Sequence, residues 1–318
     1  MSLRLVRGVP RGTPSPCVIT IGAFDGLHVG HQALIAHTLA RARELQVPSI
    51  LLSFEPMPRE FLNPKDPPAR LTNLRERWRL LEHSGLDRLQ LLTFNNRLRS
   101  LSGREFMELL RALGARAVIV GHDFRFGRGA EASAEWFAAE SAKYGYEVEI
   151  LAAVPVAEER ASSALVRTAL AAGDLQRAAA MLGRAYTMRG RVAHGLQLGR
   201  KLGFPTANLP LHRRRAPLAG IYATRVSGAG CTSWPSVGSL GTRPMVGGVV
   251  PLLEVHLFDF DRDIYEQELE VEFIAHLREE RRFDSLDAMV VQMHRDAAEA
   301  RAILATAGWN TRLADLTP

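Results

Sequence analysis

Ten consecutive residues near the N-terminus combine glycines, an aspartate and two histidines: Gly22-Ala23-Phe24-Asp25-Gly26-Leu27-His28-Val29-Gly30-His31. The apolar segment Val18–Phe24 leads into the string, and helical spacing follows over Gln32–Leu45, which makes it a strand-to-helix turn. Glycines at 22, 26 and 30 let backbone approach a ligand closely. A helix start offers free N–H groups and the positive end of a dipole, which suit phosphate. His28 and His31 are three apart, so they share a face there and can donate hydrogen bonds to a triphosphate. The dipole disfavours their protonation, whereas a bound polyphosphate favours it. On its own, His-x-x-His reads more readily as two surface histidines than as a metal pair. No further cysteine, histidine or carboxylate cluster supports zinc.

A second string opens the other half of the chain. It runs from Gly190 to Asn208, with glycines at 195, 199 and 203 followed by Phe204-Pro205-Thr206-Ala207-Asn208. The glycines predict a loop that bends tightly or approaches a ligand. Pro205 fixes the chain ahead of two oxygen-bearing side chains, and residues two apart on an extended segment face the same side. Thr206 and Asn208 can therefore converge on one magnesium ion, which takes hard oxygen ligands and keeps waters and phosphate oxygens. Alone, Pro-Thr-x-Asn is also a common turn.

The elements that would carry these strings have two rhythms. Strand patterns at Val18–Phe24, Ser49–Phe54, Leu89–Phe94, Ala117–Val120 and Glu147–Val154 alternate with helical ones at Gln32–Leu45, Leu74–His83, Arg104–Leu113 and Ala132–Tyr144. That alternation predicts an α/β unit with a parallel sheet covered on both faces, with ligands beyond the carboxyl ends of its strands. Two short alanine-rich helices, Ser163–Ala172 and Leu175–Leu182, close this half. β-rich segments then follow one another at Tyr186–Ala193, Ile221–Val226, Leu253–Phe260 and Leu269–Ile274, which predicts an antiparallel sheet or small barrel. A terminal helix over Ser285–Leu304 has an apolar stripe from Leu286 through Met289, Val290, Met293, Ala297 and Ala300 to Leu304, expected to dock on the barrel. The boundary is expected between residues 184 and 185.

The strings resemble the bacterial FAD synthetases. The first is similar to the His-x-Gly-His signature of the nucleotidyltransferase superfamily in its Gly-x-Phe-Asp-Gly form. Ser53–Phe61 resembles a Phe-Glu-Pro-His-Pro segment, Val120–Gly127 matches closely, and Ser162–Arg167 resembles Ser-Ser-Thr-x-x-Arg. The second string resembles the riboflavin kinase signature, and the likeness continues through Pro217–Ala223, Leu253–Phe260, Leu277-Arg278, Arg282-Phe283 and Asp296.

The resemblance implies a Rossmann-like nucleotidyltransferase domain over 1–184 and a β-barrel riboflavin kinase domain with a terminal helix over 185–318. It implies a bifunctional enzyme that phosphorylates riboflavin to FMN and then adenylylates FMN to FAD, using ATP and Mg2+ and releasing pyrophosphate. Gly22, Phe24, Asp25 and Gly30 would belong to the phosphate turn, with His28 and His31 holding phosphates. Asp123 would lie near the ATP ribose or the flavin phosphate, and Ser163 and Arg167 would bind phosphate. Phe61, Phe124 and Phe126 are candidates to stack on isoalloxazine or adenine. In the kinase, Gly199, Gly203 and Pro205 would shape the loop, Thr206 and Asn208 hold magnesium, and Glu254 act as general base. Strand alternation puts Glu254, His256 and Phe258 on one face. Met57 stands where the family has histidine and Ala164 where it has threonine. Ser239 and Met245 replace asparagine and threonine, and Glu266 replaces a glycine.

Composition narrows the classes. The 318 residues, 47% hydrophobic and 23% charged, suit a globular chain of two domains. No apolar run approaches the roughly 20 residues that span a bilayer, and the first residues hold no long apolar signal segment. Two distant cysteines, Cys17 and Cys231, read as free thiols of a reducing cytoplasm. The charge of +6 suits phosphate-bearing partners, and the cluster Arg213-Arg214-Arg215 reads as a solvated loop. Aromatics in the second half are not patterned as a stacking platform, so neither nucleic acid nor membrane is an expected partner. Two alternatives remain: one live activity only, or a non-catalytic flavin or nucleotide sensor.

Overall fold

The structure is a computed structural model. It describes all residues except 1, 11, 158, 196–198, 200, 201, 246, 247 and 307–318, and no side chain within 243–249. Part of the glycine loop before Phe204 and the side chain of Met245 thus lie outside the described residues. The chain forms two compact units, Met1–Pro68 with Arg77–Ala161, and Ala69–Glu76 with Ser162–Pro318.

The first unit is built on a six-stranded sheet. Its strands are β1 (Arg4–Arg7), β2 (Cys17–Ile21), β3 (Ser49–Glu55), β4 (Arg88–Thr93), β5 (Ala115–Gly121) and β8 (Glu147–Leu151). The short hairpins β6 (Arg125–Phe126) with β7 (Ala132–Ser133), and β9 (Pro155–Val156) with β10 (Glu159–Arg160), lie outside it. The sheet order is β1-β4-β3-β2-β5-β8 and every pairing is parallel. All of β2 and nearly all of β3 are buried, as continuous apolar strands covered on both faces must be. From β2 the chain goes to β3 on one side and later to β5 on the other, so the carboxyl end of β2 lies at the topological switch point. β1 was not legible in the pattern: it is a four-residue edge strand, exposed over most of its length.

The second unit begins with helices Ser163–Ala171 and Leu175–Leu182. Its sheet comprises β11 (Thr187–Arg191), β12 (Ala207–Pro210), β13 (Gly220–Gly228), β14 (Cys231–Met245), β15 (Gly248–Leu257) and β16 (Glu268–Arg278). All pairings in the order β11-β16-β13-β14-β15-β12 are antiparallel. The bridge between Ala193 and Asn208, with Ala193 N–H on Asn208 O at 2.8 Å, brings the two edges together and nearly closes a barrel.

The second compact unit takes in residues 69–76 and 162–184. Tyr186 Oη donates to Leu71 O at 2.8 Å, and Arg167 Nε to Ala69 O at 2.6 Å. Arg213 does not sit in a solvated loop: it is 5% exposed, and its Nη2 lies 2.7 Å from both carboxylate oxygens of buried Glu76. The terminal helix spans Leu286–Thr306, and Met293, Ala297, Ala300 and Leu304 dock as expected, but Leu286 is half-exposed. Farther along, Arg301 ties the helix to Asp259 bidentately at 2.7 and 3.0 Å.

Candidate active sites

The first site grows from the end of β2. Phe24, Gly26 and Leu27 all take the left-handed backbone region, with φ of 51, 81 and 44°. Two of the three are not glycine, so surrounding contacts must hold the turn in this shape. Gly22 N–H donates to Leu52 O at 3.1 Å, and Gln32 Nε2 to Leu27 O at 2.9 Å. His28 caps the helix Val29–Glu44, its Nδ1 accepting from His31 N–H at 3.4 Å. No acidic residue occupies the first turn of that helix, so its dipole is unopposed.

The histidine rings stack with centroids 3.6 Å apart and planes at 25°, and Phe24 packs 4.9 Å from His31. Burial first, then His28 and Arg77, holds the His31 pKa well below the ordinary imidazole value. His31 is therefore a neutral donor-acceptor at neutral pH, and its buried Nδ1 has no hydrogen-bond partner among the described residues. Gly22 and Gly30 keep the stack tight: an added Cβ would lie 3.2 Å from the Phe24 ring and the His28 ring respectively. Asp25 is buried in the same turn.

The other residues of this half divide. Phe126 is 7% exposed and belongs to the core, against Phe106, Trp136 and Phe137, so it is not an open stacking surface. Phe61 and Phe124 are partly exposed, edged against Phe94 and stacked on Phe126 respectively. Asp123 is exposed and pairs with Arg160 at 3.2 Å. Met57 is buried and Ala164 exposed. Ser163 and Arg167 fall in the second compact unit. The helix there is capped by Ser162, and Arg167 directs Nε to Ala69 O and Nη1 to Ser163 O, at 2.6 and 3.1 Å.

The second site is a row across the barrel wall. Asn208 on β12 pairs with Glu254 on β15, Glu254 with Ser239 on β14, Ser239 with Ile221 on β13, and Ile221 with Arg278 on β16. Cross-strand partners project to the same face. Glu254, Ser239, Ile221 and Arg278 all line a cavity of about 310 Å³, together with Thr206 and His256. Leu202, Phe204, Phe283, Met289 and Met293 make its apolar lining. That size and balance suit a planar organic ligand met by a few polar groups. Asp296, buried at its edge, holds Arg278 through contacts of 2.6–3.2 Å. Phe258 lies beside His256, buried against Phe204 and the terminal helix.

The loop glycines meet their own chain rather than open space. A Cβ on Gly199 would sit 2.3 Å from Phe204 O, and one on Gly195 2.6 Å from Asn208 Nδ2. Gly203 has φ of 78° with open surroundings, so there the conformation demands glycine. Gly199 O accepts from Leu202 and Phe204 N–H at 3.0 and 2.8 Å. His256 Nδ1 lies 2.8 Å from Pro205 O, and burial lowers the His256 pKa. Neutral His256 can therefore donate from Nδ1 and hold the carbonyl just before Thr206. That contact carries no local signal in the sequence.

Comparison with known proteins gives two family matches, FAD synthetase over residues 11–165 and riboflavin kinase over residues 182–304. The chain is 45% identical over 308 residues to a bifunctional riboflavin kinase/FMN adenylyltransferase of Pseudomonas fluorescens, covering 95% of this chain and 98% of that protein. A protein of the same description from Escherichia coli K12 is 39% identical over 304 residues, covering 94% and 97%. A crystal structure described as a macrolide-efflux protein from Streptococcus pneumoniae aligns with a TM-score of 0.79 at 31% identity, covering 93% of this chain and 98% of that one. Among the described residues, no helix is long and apolar enough to cross a membrane.

Proposed function

The chain belongs to the bifunctional riboflavin kinase/FMN adenylyltransferase family, and on that premise we propose how its own residues divide the two reactions. It phosphorylates riboflavin with ATP and adenylylates the resulting FMN with a second ATP. We assign adenylyl transfer to residues 1–184 and kinase chemistry to 185–318. The two separately built features, the His28–His31 turn in the first unit and the Glu254 cavity in the second, carry this reading.

In adenylyl transfer a phosphate oxygen of FMN attacks the α-phosphorus of ATP, and the bond to the bridging oxygen of pyrophosphate breaks. His28 and His31 donate to the phosphate oxygens on which charge builds, next to the unopposed helix start. The neutrality of His31 in the free protein costs little, because the incoming polyphosphate favours any proton it takes up. Gly22, Phe24, Asp25 and Gly30 shape the turn. Of the three phenylalanines, Phe61 and Phe124 retain the stacking role, because Phe126 is core. Asp123 is the candidate for a ribose or phosphate-side contact. Ser163 and Arg167 keep only the phosphate-binding role their motif implies.

In the kinase, Glu254 accepts the proton of the riboflavin 5′-hydroxyl as that oxygen attacks the γ-phosphorus and ADP leaves. The apolar wall of Phe204, Met289 and Met293 excludes water and suits the ring system. Thr206 Oγ1 and Asn208 Oδ1 would hold magnesium, whose chemistry is to neutralise phosphate charge. The donor set fits: hard oxygens, with Asn208 paired across strands with the Glu254 carboxylate. Gly199, Gly203 and Pro205 set the backbone that presents them. The proposed setting is a reducing cytoplasm, in keeping with two cysteines that form no disulfide. Following riboflavin, FMN and FAD over time with ATP and magnesium tests the function: FMN should rise and then fall as FAD accumulates. FAD without intermediate FMN from riboflavin, or no FAD from supplied FMN, would refute it.

A further inference from the structure

Arg77 belongs to none of the motifs. Its side chain is 0% exposed, yet it is a full cation, so the fold bears a desolvation cost that something must repay. The compensation lies under the phosphate turn. Nη1 donates to Ala23 O at 2.6 Å and to Ser53 Oγ at 3.2 Å. Ser53 Oγ donates to the same Ala23 carbonyl at 3.2 Å. Nη2 lies 3.5 Å from the Glu55 carboxylate, which balances the charge.

Ala23 immediately precedes the left-handed Phe24, whose ring packs on His31. Fixing its carbonyl fixes the plane of the peptide that enters the strained turn. The other two anchors, Gly22 N–H on Leu52 and Leu27 O on Gln32, bracket this one. A planar guanidinium can meet carbonyl, hydroxyl and carboxylate together, whereas an ammonium is a single point charge. The same cation lies close enough to lower the pKa of His31. We infer that Arg77 is a positioning residue for adenylyl transfer: through the Ala23 carbonyl it holds the turn that places His28 and His31 against the phosphates of ATP. Ser53 is the second support of that carbonyl.

This inference rests on reading the turn as the phosphate site of adenylyl transfer. The test uses the full chain, assaying FMN adenylylation at varied ATP and riboflavin phosphorylation in the same preparation. Arg77→Met should lose about ten- to a hundredfold in kcat/KM for adenylylation, mostly in kcat, because a misplacement near 1 Å has that effect. Riboflavin phosphorylation should not change. Arg77→Lys, a point charge that cannot meet all three partners, should recover only a small part of the loss, and Ser53→Ala should cost about two- to fivefold, since a single neutral hydrogen bond is worth that much. Wild-type adenylylation in both Arg77→Met and Ser53→Ala, or an equal fall of both activities in folded protein, would overturn the inference. If Arg77→Met does not fold, Ser53→Ala decides: wild-type kcat/KM there overturns it. If His28→Ala with His31→Ala keeps adenylylation, the reading of the turn itself fails; if that variant is dead while Arg77→Met and Ser53→Ala are normal, only the positioning role fails.

Discussion

Each of the two candidate ligand turns has a carbonyl held by a distant side chain, but by different means. In the first unit Ala23 O is gripped by a fully buried arginine from the helix Leu74–Glu82. In the second, Pro205 O is met by a half-buried neutral histidine on β15. The first turn gets its shape from left-handed backbone at Phe24 and Leu27, positions that glycine would fill without strain. The second gets its shape from glycines that make way for their own chain, Gly199 for Phe204 O and Gly195 for the Asn208 amide. The contrast follows the chemistry. Adenylyl transfer needs fixed donors around phosphate, so a rigid, charged support suits it. In the second unit the strand register sets Asn208, Glu254 and Ser239 in one row, and Glu254 and Ser239 line an apolar cavity.

If the sites are separate, single changes must strike one reaction and spare the other. The largest effect is expected for His28→Ala with His31→Ala. Loss of one such donor costs 10²–10³, so FMN adenylylation should fall about a thousandfold or more while riboflavin phosphorylation persists. Glu254→Gln should do the converse, lowering phosphorylation about a hundredfold or more and leaving adenylylation of supplied FMN intact. Steady-state assays of both reactions on each variant check this pair. Gly199→Ala sharpens the comparison, because its Cβ would collide with the Phe204 backbone rather than with a movable side-chain end. Displacement of the Thr206 segment should cost roughly tenfold in phosphorylation, with adenylylation unchanged.

The smallest effect concerns Glu266, at φ of 62° where the resemblance expects glycine. Its backbone is held by Val192 O on its N–H at 2.9 Å and by Arg191 on its carbonyl, also at 2.9 Å. Relief of the left-handed strain exceeds the entropy cost of glycine, so Glu266→Gly should stabilise the second unit by about 0.5–1 kcal/mol in chemical denaturation. A loss of stability would show that the surrounding contacts favour the glutamate.

The catalytic candidates were legible because their chemistry is contiguous: His28 and His31 lie in one turn, and Thr206 and Asn208 on one extended segment. The parallel sheet was legible through its buried strands, and the barrel through its succession of β-rich segments. β14 was not, because Pro235, Gly238, Gly241 and Pro244 break the local pattern of a strand specified by its neighbours β13 and β15. Arg77, Arg213 and the His256 contact were hidden for a related reason. Each joins residues 24–143 positions apart, and an isolated arginine or histidine looks the same in sequence whether solvated or buried. Phe126 was misread in the opposite sense, since a motif neighbour of Asp123 turns inward to the core.

Mixing the two inactivated chains tests the central claim most directly. Glu254→Gln, and separately His28→Ala with His31→Ala, should each fail to convert riboflavin to FAD. Combined in one tube with ATP and magnesium, the histidine variant should supply FMN and the glutamate variant should adenylylate it, restoring FAD. A mixture that stays inactive, while each variant keeps its predicted single activity on supplied substrate, would contradict two independently working sites; so would either variant losing both activities.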